Sequence, residues 1–173
     1  HNQWIATAPF VQTPEFKAWT AAANGQAISL TRAVEFLDDR APDIVAPEAS
    51  AILDLLRNMR ANVSATAETE LRPDGTSSIR FTKGSTVQAR GVELPPEIEI
   101  AIPVLAGHLD ANGALVRYKL VLKLRTSIDD NARLALRFSM PAAERVLEEV
   151  YAERVTAAQA LLGDTFPLLR AAD

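Results

Sequence analysis

The chain has 173 residues, of which 48% are hydrophobic and 23% are charged, and its formal net charge is -4. This length and composition suit one soluble domain with its own core, and the acidic balance excludes a protein whose whole surface attracts nucleic acid. The absence of cysteine excludes disulfides, thiolate metal sites and thiol nucleophiles, and it favours a reducing compartment, so we expect a cytoplasmic protein.

No stretch of the chain suggests a membrane span or a secretory signal. None approaches the roughly 18 consecutive apolar residues that a transmembrane helix needs, and the start lacks a basic end followed by an apolar middle. We therefore expect no membrane partner. Because the first residue is His1 and not methionine, we also expect that the native N-terminus lies upstream.

The first predicted elements are a short strand and a short helix. Residues 4–11 are β-prone, and a proline among them, which has no N–H to donate, predicts an edge strand. Thr13 is a good N-cap residue, and Pro14 suits the first position of a helix. We predict a helix over about residues 14–23 that stops at Asn24-Gly25.

Two more helices complete a predicted N-terminal helical part of about residues 1–61. Ser29 is the candidate cap of the first, whose apolar face carries Val34 and Leu37. The second begins at Pro47, and its apolar side chains recur at helical spacing: Ile52, Leu55, Leu56 and Met59.

Beyond Ala61 the apolar period falls from about 3.6 to 2, which predicts a sheet over about residues 62–140. Apolar and polar residues alternate from Val63 to Leu71, and Pro-Asp-Gly then leads into a second strand at residues 76–83. This pattern predicts a β-hairpin.

The second half of the predicted sheet is the clearer one. Two prolines open a strand in which Glu97 and Glu99 alternate with isoleucines. A turn then leads into "VRYKLVLKLRTS", residues 116–127, and a further turn leads into "RLALRFSM", residues 133–140. These last two strands form a second predicted hairpin.

From Pro141 the period is helical again, and it predicts a long C-terminal helix over about residues 141–163 that ends at Gly163. Helices, then strands joined by tight turns, then a helix are typical of the α+β class. We predict a single α+β domain over residues 1–173 with a largely antiparallel sheet of about 5–6 strands.

The strand at residues 116–127 carries the strongest hint of a partner. Alternate side chains of a strand share a face, so Tyr118 and its even-numbered leucine neighbours point inward while a row of cations points outward. With two more from the next strand, this candidate anion or subunit face comprises Arg117, Lys119, Lys123, Arg125, Arg133 and Arg137.

Three interpretations of this face stay open. The outward sides of the other predicted strands carry Glu68, Glu70, Glu97 and Glu99, and opposite charges on neighbouring strands pair without any ligand. A subunit contact through the same charges is the second interpretation, and a nucleic-acid or anionic-ligand face is the third. The third lacks the exposed aromatic side chains that single-strand binders use for stacking, because Tyr118 and Phe138 point to the core.

Catalytic signatures are missing from the sequence. The chain has 2 histidines, His1 and His108, and we interpret His108 as a polar turn residue. Phosphate-binding, dinucleotide-binding and zinc-protease motifs do not occur. Three acidic pairs could bind a metal or act as acid and base, but each has a structural explanation: Glu97 with Glu99 on a strand, Asp38 with Asp39 at a helix end, and Asp129 with Asp130 in a turn. We therefore expect no enzymatic activity, no cofactor and no metal.

Aromatic residues cluster at the start of the chain, on a strand and a helix that are too short to bury them locally. They form a candidate oligomer contact: Trp4, Phe10, Phe16 and Trp19. The alternative is that all four complete the core of the monomer.

Three long segments carry a family resemblance: "TPEFKAWTAAANGQAISLTRAVEFLDDRAPDI", "ELPPEIEIAIPVLAG" and "LRFSMPAAERVLEEV". Together they resemble the YfdQ-like family of phage and prophage proteins, a domain of unknown function. The resemblance implies a protein made inside a bacterial host cell, and it supplies no active site. We hypothesise a non-enzymatic, self-assembling homo-oligomer, such as a ring or cage, with a structural or interaction role. The alternative is an accessory factor of phage nucleic-acid metabolism that binds DNA or RNA through the basic strand face.

Overall fold

The computed structural model describes residues 10–69, 94–128 and 134–163. Within them it contains four α-helices, one short 3₁₀ helix and one sheet of five strands, so the predicted α+β class is confirmed. In chain order the elements are α1 (Pro14–Ala22), β1 (Asn24–Ser29), α2 (Leu30–Asp39), the 3₁₀ helix (Ala41–Asp43), β2 (Ile44–Ala46), α3 (Ala49–Thr69), β3 (Glu97–Pro103), β4 (Arg117–Ile128), β5 (Leu134–Ser139) and α4 (Ala143–Leu162).

The sheet has the strand order β1-β5-β4-β3-β2, and all of its neighbouring strands are antiparallel. The three central strands pair with one another without a register shift, whereas the pairings of the edge strands β1 and β2 each contain one. The predicted hairpin of β4 and β5 is confirmed, with Leu124 opposite Phe138.

One face of the sheet forms the core. The isoleucines of β3 and alternate side chains of β4 and β5 are buried on it, as their period of two predicts. The apolar stripes of the helices pack against this face and complete one cluster, which includes Trp19, Leu37, Leu56 and Val150. We call this the inner face, and the opposite side, which carries the odd-numbered residues of β3, β4 and β5, the outer face.

Capping residues set the starts of α1 and α2 as the sequence predicts. The Thr13 hydroxyl accepts a hydrogen bond from the Phe16 N–H, and the Ser29 hydroxyl accepts one from the Arg32 N–H. Thr13 is itself buried, and its hydroxyl also donates to the Pro103 carbonyl at the end of β3. The cap of α1 therefore also fixes this helix to the sheet.

Two predicted elements are corrected by the structure. The strand predicted from Val63 to Leu71 is wrong over its described part, because α3 continues to Thr69. This segment contains alanine at positions 61, 65 and 67. Alanine fits an alternating pattern because its side chain is small, but it also has a high helix propensity. The second correction follows α1, where Asn24-Gly25 stops the helix but also starts β1.

Several predictions lie outside the described residues. They include most of the edge strand at residues 4–11, of which Phe10 and Val11 are described and belong to no strand. They also include the strand at residues 76–83 and the tail beyond Gly163. Among the described residues, no helix is long and apolar enough to cross a membrane.

Candidate functional site

The described cations of the predicted anion or subunit face lie on the outer face of the sheet. Arg117, Lys119, Lys123 and Arg125 follow one another along β4, and Arg137 lies on the adjacent strand β5. Arg133 lies outside the described residues. Since all five described side chains belong to odd-numbered positions, the predicted shared face is found, and the partners of each cation decide what the face can do.

Arg117 forms an ion pair with Asp43 that links parts of the fold. Its Nη2 donates to Asp43 Oδ1 at 2.6 Å, and its Nε donates to the Ala101 carbonyl at 2.9 Å. Asp43 is 8% exposed and also accepts a hydrogen bond from the Trp19 indole N–H at 2.9 Å. Because β2 begins opposite Ile100, the Ala101 carbonyl lies beyond the end of that pairing, and Arg117 supplies the missing donor.

Arg137 has a related role at the other edge. Its Nη1 donates to the Gly25 carbonyl at 3.0 Å. Gly25 lies where the register between β1 and β5 shifts, and its φ of 78° is in the left-handed region that glycine adopts without strain. Both arginines therefore satisfy carbonyl groups at irregular points of the sheet, although the second guanidinium keeps other N–H groups for a partner.

Lys123 takes part in a cross-strand ion pair. Its Nζ lies 3.5 Å from Glu97 Oε1, and the two residues are direct register partners on β4 and β3. This pair is the arrangement of opposite charges on neighbouring strands that the sequence predicts. Of the other predicted acidic partners, Glu99 is opposite Val121, Glu68 lies on helix α3 and not on a strand, and Glu70 lies outside the described residues.

Lys119, Arg125 and Arg137 have no carboxylate partner within the described ranges, and Arg137 donates to a backbone carbonyl instead. Lys119 is opposite Ala101, and Arg125 is directly opposite Arg137. Like charges in direct opposition on a sheet are destabilising. The β5 side of the outer face, around Arg125 and Arg137, is therefore positively charged, while Lys123, two residues from Arg125 on β4, is balanced by Glu97 on the β3 side.

The structure separates the candidate aromatic contact into two kinds of residue. Phe16 and Trp19 are 2% and 0% exposed and belong to the core of the domain itself. Phe10 is 41% exposed, and its ring packs against Tyr151 of α4 at 5.6 Å between centroids. Trp4 lies outside the described residues. Phe10 is thus the described member of the group that a second molecule could contact.

Helix α4 is packed against the core along its first half and is largely exposed along its second half. Val146 and Val150 anchor its first half in the core. The second half has no buried residue, and Leu161 and Leu162 are 90% and 45% exposed. No charged residue occurs from Val155 to Leu162. A stripe with alternating spacings of four and three, as in helix–helix seams, runs along this half: Tyr151, Val155, Ala158 and Leu162.

The exposed apolar side chains of the described residues concentrate around this helix. Those of large size are Phe10, Val11, Val45, Leu109, Leu115, Val155, Leu161 and Leu162. Val155, Leu161 and Leu162 lie on α4, and Phe10 contacts Tyr151 of α4. Val11 follows Phe10, and Leu109, which bridges Leu115, follows His108, which joins α4 through Tyr118 and Glu153. We call this set without Val45 the α4 patch. Its concentration at one place distinguishes it from scattered surface residues.

A polar network at the base of the α4 patch is a feature that sequence reasoning missed. The Tyr118 hydroxyl donates to Glu153 Oε2 at 2.9 Å and lies 3.2 Å from His108 Nδ1. Since the hydroxyl proton goes to the glutamate, a hydrogen bond with the histidine requires that Nδ1 carries its own proton. The sequence gives no signal for this network because its three members are far apart in the chain.

The environment of Tyr118 favours the protonated hydroxyl, which can donate a hydrogen bond. Burial, the hydrogen bond to Glu153 and the negative charge of that carboxylate raise its pKa to about 12, although the positive charge of Arg154 acts in the opposite direction. The hydroxyl therefore stays protonated at neutral pH. His108, which the sequence suggests is a turn residue, is 9% exposed and helps to dock α4 on the start of β4.

The acidic pairs give no metal site within the described ranges. No three side chains of histidine, aspartate or glutamate converge there in a way that could hold an ion. Asp38 instead pairs with Arg57 at 3.1 Å, and Asp129 and Asp130 lie outside the described residues.

Comparison with known protein families identifies a match over most of the chain. The model of a family described as an uncharacterized conserved protein, DUF2303, matches residues 1–169. No curated protein and no solved structure matches the chain.

Proposed function

The chain belongs to the DUF2303 family of uncharacterized conserved proteins, and we propose that it works as a self-assembling homo-oligomer with a structural or interaction role and without enzymatic activity. The single observation that carries this proposal is the unpacked second half of α4, where Leu161 is 90% exposed on a helix whose first half is anchored in the core. The remaining α4 patch supports it.

The second half of α4 would be stabilised by a partner that covers its apolar stripe. Helices shorter than roughly 12–15 residues are marginal in water, and most helical stability in proteins comes from packing an apolar face. The half of α4 beyond Val150 is within this range and carries its own apolar stripe. Covering the stripe would therefore both remove apolar surface from water and stabilise the helix.

A second copy of the chain is the occupant that fits this surface. Residues 155–162 lack charge, so two such segments can pack together without burying an unpaired ion. Ala158 lies within the stripe and allows two helices to approach closely. In a two-fold contact the same stripe meets itself, which satisfies the self-complementarity that an isologous interface requires.

A two-fold contact alone produces a dimer, so a ring or cage built on it needs a second, different contact on each copy. The exposed side chains of Phe10, Leu109 and Leu115 are apolar, belong to the α4 patch and lie outside the helical stripe. They are therefore the surface that we assign to that second contact. In this arrangement the original aromatic group contributes through Phe10 and not through the buried Phe16 and Trp19.

The cellular setting is part of the same proposal. The resemblance to YfdQ-like proteins of phages and prophages implies synthesis inside a bacterial host cell, and the lack of cysteine suits the reducing cytoplasm. A self-assembling protein of this origin would act there by scaffolding or by binding other components.

The test compares one disruptive variant with one matched control. Val155→Glu with Leu162→Glu puts two charges into the stripe, and Val45→Glu puts a charge on an exposed valine of β2 outside the α4 patch. Molar mass is measured by light scattering after size exclusion. We expect a discrete multiple of the monomer mass for the wild type and for Val45→Glu, and a dissociation constant raised by roughly tenfold or more for the stripe variant.

Two outcomes would contradict the proposal. One is a wild-type protein that remains monomeric at micromolar concentration. The other is an assembly that the stripe variant leaves unchanged, since this would mean that the second half of α4 takes no part in the contact.

A further inference from the structure

The outer face of the sheet has a charge that differs in sign from that of the whole protein. Its described residues include five cations and, on β3, the two acids Glu97 and Glu99. The complete chain has a net charge of -4. Even after Arg117 is paired with Asp43 and Lys123 with Glu97, the region around Arg125 remains positive, and such a region attracts anions locally.

The opposition of Arg125 and Arg137 is the most informative detail of this face. The two residues are direct register partners on β4 and β5, and no carboxylate within the described ranges pairs with Arg125. Direct opposition of like charges destabilises a sheet. Local rules of stability are broken most often where a residue serves function. The guanidinium of Arg125, together with the N–H groups that Arg137 does not use for the Gly25 carbonyl, supplies donors that suit phosphate oxygens.

The cations also form a line. Lys119, Lys123 and Arg125 share one side of β4, and a rise of about 3.4 Å per residue separates the first from the last by roughly 20 Å. A compact anion would occupy only a part of this length. A chain of phosphates can follow all of it, because each strand of a duplex presents a charge about every 3.4 Å along the helix axis.

We propose that the outer face, through Lys119, Lys123, Arg125 and Arg137, binds the phosphate backbone of double-stranded nucleic acid without reading its sequence. The aromatic residues of β4 and β5, Tyr118 and Phe138, belong to the inner face, and Phe138 is 0% exposed, so no ring of these strands is available to stack on a base. Binding is therefore electrostatic, prefers a duplex to a single strand and weakens steeply with salt.

The experiment measures the fluorescence anisotropy of a labelled DNA duplex of arbitrary sequence with the full chain at several salt concentrations. The site variant is Lys119→Glu with Arg125→Glu. Its control, Lys17→Glu with Arg32→Glu, changes the net charge equally but lies on exposed positions of α1 and α2, which pack against the inner face. A neutral site variant, Lys119→Gln with Arg125→Gln, separates loss of the cations from repulsion.

We expect wild-type binding at low salt with a slope of log affinity against log salt of about -3, for three to four phosphate contacts. Both site variants should weaken binding by tenfold or more, and the control variant should weaken it by less than half as much on a logarithmic scale. The stability of the charge-reversed site variant should increase, because Arg125→Glu replaces a like-charge opposition to Arg137 with an opposite-charge pair. A raised melting temperature together with lost binding would show that unfolding is not the cause.

Four results would overturn the proposal. They are no duplex binding by the wild type at low salt, an equal loss in the control variant, tighter binding to the same sequence as a single strand, and a changed oligomer mass in the site variant. The last result would assign the outer face to a contact between copies of the chain.

Discussion

Asp43 joins three parts of the fold that are distant in the sequence. It is nearly buried, and it accepts hydrogen bonds from the indole of Trp19 and from the guanidinium of Arg117. The aspartate thus connects α1, the edge of the sheet and the central strand β4. The pattern of the sequence gives no sign of this role, because the residue follows a proline at a helix end and resembles an ordinary turn aspartate.

Asp43→Ala should lower the free energy of unfolding by about 2–4 kcal/mol, because it leaves the indole N–H and a half-buried guanidinium without their acceptor. The control is Asp38→Ala, which removes the exposed pair with Arg57 and should cost less than about 1 kcal/mol. Urea denaturation of both variants checks the difference. Equal losses of unfolding free energy in the two variants would mean that Asp43 does not join α1, the sheet edge and β4.

Tyr118 gives a prediction about alkaline pH. Its pKa is raised from an ordinary value of 10.0 to about 12, so the folded state holds its proton more tightly than the unfolded state does. The resulting stability is complete below pH 10.0 and is lost as pH rises toward about 12. Tyr118→Phe should therefore reduce the fall in stability across this range.

The measurement uses the ultraviolet absorbance of tyrosinate in a Tyr151→Phe background, where Tyr118 is the remaining tyrosine. Glu153→Gln is the matched variant, since it keeps the size of the hydrogen-bond partner and removes its charge. If Tyr118 titrates at its ordinary pKa in the Tyr151→Phe background with Glu153 intact, this result would contradict the network with Glu153 and His108.

At the scale of elements, local signals predicted the helices and strands that possess their own caps and periods. The caps Thr13 and Ser29, the alternating isoleucines of β3 and the hairpin of β4 and β5 all follow from neighbouring residues. The edge strand β1 was missed because Asn24-Gly25 is a normal helix stop, and its strand conformation depends on pairing with β5. The end of α3 was misplaced because alanine fits both periods.

The two caps provide a test of how an element is tied to the fold. Thr13→Ala removes the cap of α1 and also the hydroxyl that donates to the Pro103 carbonyl in a buried place, so we expect a loss of roughly 2–3 kcal/mol. Ser29→Ala removes an exposed cap alone and should cost about 1 kcal/mol or less. Thermal unfolding of the two variants should give this order, and the reverse order would contradict the tie between α1 and β3.

The candidate sites could be predicted only in part, because they depend on contacts between residues that are distant in the chain. Periodicity places the cations of β4 on one face, but the sequence does not reveal that Arg117 is engaged by Asp43 or that Arg125 is opposite Arg137. The first fact depends on where the 3₁₀ helix packs, and the second depends on the register between β4 and β5. Similarly, aromatic composition drew attention to Phe16 and Trp19, which are buried, whereas the unpacked half of α4 becomes visible only once the extent of the core is known.

At the scale of the whole molecule, the two sides of the protein differ in character. The helices and the sheet enclose one apolar core, the α4 patch is partly exposed beside it, and the outer face carries a row of cations. Self-assembly through the α4 patch would repeat the outer face once per copy. Weak phosphate contacts on each copy would then add together in binding one long duplex.

Sedimentation equilibrium of the unaltered chain over a dilution series tests the central claim most directly, because it reports molar mass without immobilisation or labels. The account predicts a discrete multiple of the 18.7 kDa monomer mass at micromolar concentration, which dissociates on dilution and loses little mass when salt is raised, since residues 155–162 carry no charge. A single species of monomer mass across the whole series would contradict it.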